Sequence, residues 1–214
     1  MSAPAGELHA REIPDDPEPT AWFLDATRPA VVLGSSQPAG DVDGHAVGER
    51  GVDLVSRRSG GGAVLVVPGG CTWLDLIIPS GHPLWLDDVG RAMHWVGEVW
   101  CSALAELGVA ASVHRGAMRR TEWSSQVCFA GLGAGEVLDQ RRRKIVGVSQ
   151  RRTRDAARFQ TVAYHSDPAD LVELLALEHG AERRLRSELA ERTASVPVQP
   201  AGLAAALERH LPIL

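Results

Sequence analysis

The sequence predicts an α+β fold in which a mixed, largely antiparallel β-sheet has its helices packed on one face. Three observations favour this class. Short apolar runs rich in valine, leucine and isoleucine, bounded by glycine and proline, recur along the 214 residues. These strand-like runs are grouped before and after one long helical pattern and do not alternate strictly with helices. Hydrophobic residues make up 44% of the chain, which is enough to bury a sizeable core.

The first half of the chain is predicted to hold strands around a glycine-rich loop. Residues 1–20 are rich in proline and acidic residues, which predicts a flexible N-terminal arm. A short helix is predicted at 45–51. The strand-like runs of this half are 30–33, 52–56, 63–67 and 72–78. Because Pro68 and two glycines separate the last two runs, they are expected to form a hairpin.

One long helix precedes a second group of strands. Apolar residues recur at helical spacing from Leu86 to Leu107, and Gly108 predicts the end of that helix. The later apolar runs predict strands at 109–113, 125–129, 136–138, 145–150 and 159–164, with the third and fourth paired as a hairpin. Further helices are predicted at 169–175, 182–192 and 201–210. Residues 21–214 are expected to form a single domain, of which 166–214 are a helical C-terminal extension.

The composition argues against several classes of partner. The formal net charge of −5 gives no reason to expect binding to nucleic acid. Three cysteines without a signal peptide predict a reducing, cytoplasmic environment. No apolar run approaches the length of a membrane span, and no histidine stands at zinc-ligand spacing. Neither a membrane nor a metal ion is therefore expected at the site.

The most informative segment is 56–64, where three glycines follow two arginines and precede an apolar run. Its candidate substrate-binding residues are Arg57, Arg58, Ser59, Gly60, Gly61, Gly62 and Ala63. Glycines adopt positive φ and let a ligand approach the backbone N–H groups closely. The two arginines add positive charge, which suits a phosphate or a carboxyl-derived oxygen. A flexible turn with solvated arginines is the structural alternative.

A second segment, 143–152, contains Lys144, which is the only lysine of the chain. Arginine would keep the positive charge but not the compact ammonium, so a single retained lysine favours a specific role. Lys144 follows three arginines at a predicted turn, and a solvated basic run is the structural alternative.

Three segments together resemble the lipoate–protein ligase and octanoyltransferase family. They are Arg-Arg-Ser-Gly-Gly-Gly-Ala-Val at 57–64, Lys-Ile-Val-Gly-Val-Ser-Gln-Arg-Arg at 144–152 and Val-Val-Leu-Gly-Ser-Ser-Gln at 31–37. The resemblance covers roughly residues 28–165. It implies a biotin/lipoate-ligase-like catalytic domain that attaches an octanoyl or lipoyl group to a lysine. The acceptor would be a lipoyl carrier domain or a glycine-cleavage H-type protein, and the donor an acyl carrier protein or free lipoate.

The resemblance also implies roles for single residues. Lys144 would lie against the acyl carbonyl or an adenylate phosphate and stabilise negative charge there. Gly147 would let the acyl chain pass close to the strand, beside Val148. Cys128, followed by Phe129, resembles the cysteine that carries the acyl group as a thioester in one octanoyltransferase branch. That chemistry needs a thiolate, which cationic neighbours favour. A small buried cysteine is the structural alternative.

Two other functions are compatible with the residues. An ATP-dependent ligase would use ATP and Mg²⁺ to form a lipoyl-adenylate, with Cys128 only structural, whereas the transferase needs no cofactor. The Arg-Asn-Asp triplet of plain ligases is absent. Few residues follow Tyr164 for the accessory domain of a full ligase, which leaves either a transferase or a ligase whose accessory part is a separate chain. A non-catalytic acyl or lipoyl-domain binding protein is the third reading, because Gln160 and Thr161 stand where relatives carry a His-Gly pair.

Overall fold

Two β-sheets lie face to face, and helices cover their outer sides. This arrangement comes from a computed structural model that describes residues 1–212. The strands are β1 Ser2–Ala3, β2 Thr20–Ala26, β3 Ala30–Leu33, β4 Asp53–Ser56, β5 Val64–Val66, β6 Cys71–Pro79, β7 Ala111–Val113, β8 Val137–Asp139, β9 Lys144–Arg152 and β10 Ala156–Tyr164. The α-helices are α1 Ala5–Ala10, α2 Gly44–Glu49, α3 Val89–Ala92, α4 His94–Glu106, α5 Ala181–Arg192 and α6 Pro200–His210. Three 3-10 helices span Ala39–Asp41, Cys128–Ala130 and Pro168–Leu174.

The larger sheet has seven strands in the order β1-β2-β6-β10-β9-β8-β7. Only the β1–β2 pair is parallel. Helices α4 and α6 cover one face, where the buried Trp100 donates its indole N–H to the hydroxyl of Thr161 at 3.1 Å. The predicted α+β class, with a largely antiparallel sheet and helices on one face, is confirmed. No helix of the described residues 1–212 is long and apolar enough to cross a bilayer.

The smaller sheet, in the order β4-β3-β5, covers the other face of the larger one. Its central strand β3 is apolar on both sides, as a strand buried between two layers requires. Val32 faces the larger sheet, whereas Val31 and Leu33 face α5 and the 3-10 helix Pro168–Leu174. The cavity described below lies between the two sheets.

The predicted hairpin of 63–67 and 72–78 is wrong. Strand β5 pairs with β3 in the smaller sheet, whereas β6 pairs with β2 and β10 in the larger one. The turn between them carries the chain from one sheet to the other and includes Gly69 at φ +66°. Strand β6 has nine residues and pairs along its whole length with β10, a ladder that the three residues of β5 cannot offer.

The N-terminal segment differs from the flexible arm expected for residues 1–20. Strand β1 pairs with β2, and α1 buries Ala5 and Leu8 against the larger sheet. The guanidinium of Arg158 donates to the carbonyl oxygens of Leu8 and Arg11 and so ties the end of α1 to β10. Strand β2 itself was not predicted. The division into an arm, one domain at 21–214 and an extension at 166–214 stays a prediction.

Three other predicted elements differ in detail. The long helix predicted from 86 begins at Val89, where Asp88 caps its N-terminus, and it is divided at Met93 into α3 and α4. Residues 125–129 are not a strand, since only Val127 pairs there, with Ala63, before the 3-10 helix Cys128–Ala130. Residues 168–174 form a 3-10 helix instead of an α-helix. The other predicted helices and strands are present within a few residues of their expected bounds.

Candidate active site

The glycine-rich loop is organised from behind by the buried guanidinium of Arg57. This group donates to the carbonyl oxygens of Val32 at 3.1 Å, Gly60 at 2.8 Å and Gly62 at 2.9 Å. The backbone N–H groups of Gly60, Gly61 and Gly62 make no hydrogen bond to any atom of the described residues 1–212. The loop therefore turns its carbonyl groups toward Arg57 and leaves several N–H donors free for a ligand.

Two glycines are needed where this loop meets its neighbours. Gly61 has φ +101°, and a Cβ there would lie 3.0 Å from the Arg57 guanidinium and 3.7 Å from Cys128 Sγ. At Gly34 a Cβ would lie only 1.8 Å from the carbonyl oxygen of Gly61. A side chain at Gly34 would displace the loop, because a contact below 3 Å to a backbone atom forces a shift. At Gly61 a side chain would be strained by the positive φ.

Cys128 lies beside the glycine loop, as the first residue of its 3-10 helix. Its backbone N–H donates to the carbonyl oxygen of Ala63 at 3.0 Å, which ties it to the strand that follows the glycines. Its half-buried side chain lines both a narrow cavity and an open cleft. Burial raises the pKa of the Cys71 thiol to about 12 and that of Cys101 to about 11. Neither of those cysteines lines the cavity or the cleft.

Lys144 is buried behind the loop that carries Cys128. Its ammonium donates to the carbonyl oxygens of Cys128 at 2.9 Å and Gly131 at 3.1 Å, and it lies 2.6 Å from Glu136 Oε1. These three acceptors use the three protons of the ammonium. The ammonium of Lys144 therefore holds the loop, and the residue also lines a smaller pocket of about 110 Å³. The expectation that Lys144 lies against a substrate stays a prediction.

Glu136 is a site residue that sequence reasoning did not identify. Besides Lys144, its carboxylate accepts the backbone N–H of Gly133 at 2.7 Å and that of Val148 at 3.3 Å. Burial raises the pKa of the Glu136 carboxyl, and the neighbouring ammonium of Lys144 opposes that rise. The acid joins the loop after Cys128 to β9. The only signal in the sequence is an acid eight residues before the single lysine.

The cavity between the two sheets is narrow and mostly apolar. Its apolar walls are Val64, Val66, Trp73 and Val162. Cys128 and Gly147 also line it, and its volume is about 40 Å³, which is space for only a few atoms. An eight-carbon acyl chain would therefore enter only if side chains of the two sheets move apart.

Two clefts lie next to this cavity. The first has a volume of about 260 Å³ and shares Cys128 with the cavity. The second, about 740 Å³, shares Gly61 with the first. Polar side chains line this outer cleft, among them Ser36, Gln37, Ser124, Gln126 and Arg120. Cys128 is thus shared by the cavity and the first cleft, and Gly61 by the two clefts.

The remaining predicted site residues are not all brought together. Arg58 is exposed, forms an ion pair with Glu12 and lines neither the cavity nor the clefts. Its neighbour Arg57 is buried because successive residues of an extended chain point to opposite sides. Gly147 leaves room for the ring of Phe129, which would lie 3.0 Å from a Cβ there.

Val148 lines both the cavity and the first cleft. The hydroxyl of Ser59 is buried and donates to Gln160 Oε1 at 2.8 Å. Ser149 lies 3.1 Å from the same hydroxyl and also lines the cavity. His9 and Trp73 complete that wall, and neither was singled out from the sequence. His9 could not be identified from the sequence, because it lies in the segment that was expected to be flexible.

With this geometry in view, comparisons with known proteins are informative. Residues 6–197 match the model of one protein family, described as the lipoyl protein ligase A/B catalytic domain. No curated protein matches the chain.

Several solved structures are similar. A bipartite lipoate protein ligase from Thermoplasma acidophilum, described with its E2 lipoyl domain, is 21% identical with a TM-score of 0.73, over 95% of this chain and 73% of that one. A putative lipoate protein ligase of the same organism with bound lipoic acid is 20% identical with a TM-score of 0.69, and the match covers 95% of this chain and 74% of that one. A lipoate-protein ligase A bound with ATP is 20% identical with a TM-score of 0.73, over 98% and 81%. At these identities the likeness shows the fold.

Proposed function

The chain belongs to the lipoyl protein ligase A/B catalytic-domain family, and we propose that it transfers an octanoyl or lipoyl group to the ε-amine of a lysine on a lipoyl carrier domain. The observation that carries this proposal is the position of Cys128. Its thiol lies where the apolar cavity meets the open cleft, next to the free N–H groups of the glycine loop. An acyl chain in the cavity would present its carbonyl carbon to this thiol.

In the first half of the reaction, the thiolate of Cys128 attacks the carbonyl carbon of an acyl thioester on a carrier protein. A carbon–sulfur bond to Cys128 forms, and the carrier thiol leaves with the electron pair of the bond that breaks. The negative charge that develops on the carbonyl oxygen is stabilised by backbone N–H groups of Gly60, Gly61 and Gly62. Those donors are already oriented, because Arg57 holds the loop carbonyls on the opposite side.

In the second half, the neutral ε-amine of the acceptor lysine attacks the thioester on Cys128. An amide bond forms, the thiolate of Cys128 leaves, and the amine loses a proton to solvent. The first cleft, about 260 Å³ in volume and lined by Cys128, would be the entry for the acceptor lysine side chain. One similar protein is described with its E2 lipoyl domain, which supports a lipoyl domain as the acceptor.

The role we assign to Lys144 is positioning. Its ammonium binds the carbonyl oxygens of Cys128 and Gly131 and so sets the course of the chain at the nucleophile. Glu136 holds the ammonium in turn. A buried, fully paired lysine is rigid, which is what a nucleophile close to an oxyanion site requires of its support.

The ligase reading needs ATP, whose adenylate phosphate was expected between Arg57, Arg58, the glycine loop and Lys144. These cations are otherwise engaged. Arg57 binds two loop carbonyls and that of Val32 in β3, Arg58 pairs with Glu12 at the surface, and Lys144 pairs with Glu136. Of that set only the loop N–H groups are free, so the arrangement favours the transferase, although one similar protein is described as bound with ATP.

The proposal is tested by the mass of an acceptor lipoyl domain after incubation with the protein. One reaction contains an octanoyl or lipoyl thioester of acyl carrier protein without ATP, and the other contains free lipoate with ATP and Mg²⁺. We expect the acceptor to gain the acyl group in the first reaction. An acceptor whose target lysine is replaced by arginine is the control. Modification in neither reaction would contradict the proposed function, and modification only with ATP would favour the ligase.

A further inference from the structure

His9 of α1 contributes an unusual polar atom to the wall of the cavity. Its side chain is buried, with the residue 8% exposed, and its ring lies against that of Trp73 with the centroids 4.6 Å apart. Its Nδ1 atom is 3.3 Å from the side-chain amide nitrogen of Gln160. Its Nε2 atom makes no hydrogen bond within residues 1–212. This nitrogen is not among the fully covered, unpartnered side-chain atoms of the described residues, so in the cavity wall it is a polar atom that a ligand can reach.

A buried carboxylate fixes the orientation of Gln160. Burial raises the pKa of the Asp75 carboxyl, and the charge of Arg158 opposes that rise. The carboxyl accepts the indole N–H of Trp73 at 2.7 Å and the guanidinium Nε–H of Arg158 at 2.7 Å, and we take it as ionised because it faces this cation directly. Because an ionised carboxylate only accepts, the group of Gln160 that lies 3.2 Å from Asp75 is its N–H₂ end. The same amide nitrogen faces His9.

The tautomer of His9 follows from this chain of contacts. Since Gln160 presents an N–H to Nδ1 of His9, Nδ1 is the acceptor, and the proton of the neutral imidazole is on Nε2. The imidazole is neutral because burial, and then the positive charges of Arg57 and Arg158, lower the pKa of His9 to about 3. The cavity wall therefore offers one uncharged N–H donor at Nε2.

The strand register places His9 at the end of the cavity away from Cys128. Gly147, Val162 and Trp73 lie side by side on neighbouring strands β9, β10 and β6. Lys144 of β9 binds the carbonyl oxygen of Cys128, which puts the nucleophile on the β9 side. His9 lies against Trp73 on the β6 side, two strand spacings or about 10 Å away. An extended acyl chain attached to Cys128 would bring its distal end to His9.

We propose that His9 selects acyl groups that carry a hydrogen-bond acceptor near their distal end, such as the ring sulfurs of a lipoyl group, over plain hydrocarbon chains. This inference rests on the proposed function, since it assumes that the cavity holds the acyl chain. A lipoyl sulfur is a weak hydrogen-bond acceptor for the Nε2–H of His9. An octanoyl chain has no acceptor at this end and would cover the Nε2–H group without accepting a hydrogen bond from it. Sites with a buried donor discriminate against analogues that leave it unpaired.

Binding of lipoamide and octanamide to the protein, measured by calorimetry, tests this inference without relying on turnover. We expect wild-type protein to bind lipoamide about tenfold more tightly than octanamide. His9→Phe keeps the ring against Trp73 and removes the donor, so we expect its two dissociation constants to agree within about twofold. His9→Gln retains an N–H donor and should keep part of the preference. Glu7→Gln, an exposed change on the same helix, should behave as wild type.

Equal binding of the two amides by the wild type would overturn the inference, as would no binding of either. An unchanged preference in both His9 variants would also overturn it, and His9→Gln gives the answer if His9→Phe does not fold. Transfer to a lipoyl domain is measured in parallel. Selective binding of lipoamide without any transfer would contradict the proposed function and leave the role of His9 intact.

Discussion

The Nζ atom of Lys144 lies 2.6 Å from the Oε1 atom of Glu136, and the structure buries both side chains. The pair joins the first residue of β9 to the loop that precedes β8. It also places the ammonium against the carbonyl oxygen of Cys128. The same contact thus contributes to the stability of the domain and to the position of the proposed nucleophile. The two contributions are separable by mutation.

Replacement of Lys144 by methionine should destabilise the protein by about 3 to 5 kcal/mol, because the carboxyl group of Glu136 then remains buried without its partner. Chemical denaturation in urea measures this loss. The double variant Lys144→Met/Glu136→Leu removes both charges and should recover most of it. A loss below about 1 kcal/mol in the single variant would show that the pair is not coupled as the structure indicates.

Two adjacent glycines of the loop should differ in their tolerance of alanine. Gly61 has φ +101° and its Cβ would press on Arg57, so Gly61→Ala should turn the free N–H groups away from Cys128. The loss of well-placed donors typically lowers the rate about a hundredfold or more. At Gly60 a Cβ meets nothing within 4 Å and φ is not positive, so Gly60→Ala is the matched control. Similar transfer rates for the two variants would show that the N–H groups of this loop do not stabilise the oxyanion.

The low pKa of His9 leads us to predict that the free energy of unfolding falls as the pH is lowered. In the unfolded chain His9 takes up a proton below its ordinary pKa of 6.5, whereas in the folded protein it stays neutral down to about pH 3. Protonation therefore favours the unfolded state, and stability falls as the pH is lowered through this window. One such group lowers the free energy of unfolding by at most about 1.4 kcal/mol for each pH unit within this window.

His9→Phe lacks this contribution, which provides the comparison. The free energy of unfolding of the wild type minus that of His9→Phe should fall as the pH is lowered from 6 to 4.5. Urea denaturation at each pH measures both free energies. Because other titrating groups are shared by the two proteins, their effects cancel to first order. A difference that stays constant across this range would show that His9 is not held neutral in the folded protein.

Elements with local signals were predictable from the sequence. The hairpin of β8 and β9 has its turn chemistry within a few residues, because the carboxylate of Asp139 accepts the N–H groups of Arg141 and Arg143. Arg142 between them has φ +66°. The association of Cys128 with the glycine loop followed from the family resemblance. The turn needs no knowledge of distant contacts, whereas the association of Cys128 with the glycine loop joins distant segments and was available only from the resemblance.

Other features depend on distant contacts and could not be predicted. The separation of β5 and β6 into two sheets is decided by β3 and β10, which lie far from them in sequence. Helix α1 is too short to be stable alone and is held by Arg158, some 150 residues away. The roles of His9 and Glu136 arise from such contacts, and a single histidine or glutamate leaves no pattern in the sequence.

The intact mass of the protein after incubation with an octanoyl or lipoyl thioester, without ATP, tests the central proposal most directly. We expect an acyl adduct that hydroxylamine removes and that maps to a peptide containing Cys128. Cys128→Ser should form no adduct and transfer no acyl group, because a hydroxyl is far less acidic than a thiol, whereas Cys101→Ser should behave as wild type. Full ATP-independent transfer by Cys128→Ser, or modification only when ATP is present, would contradict the mechanism.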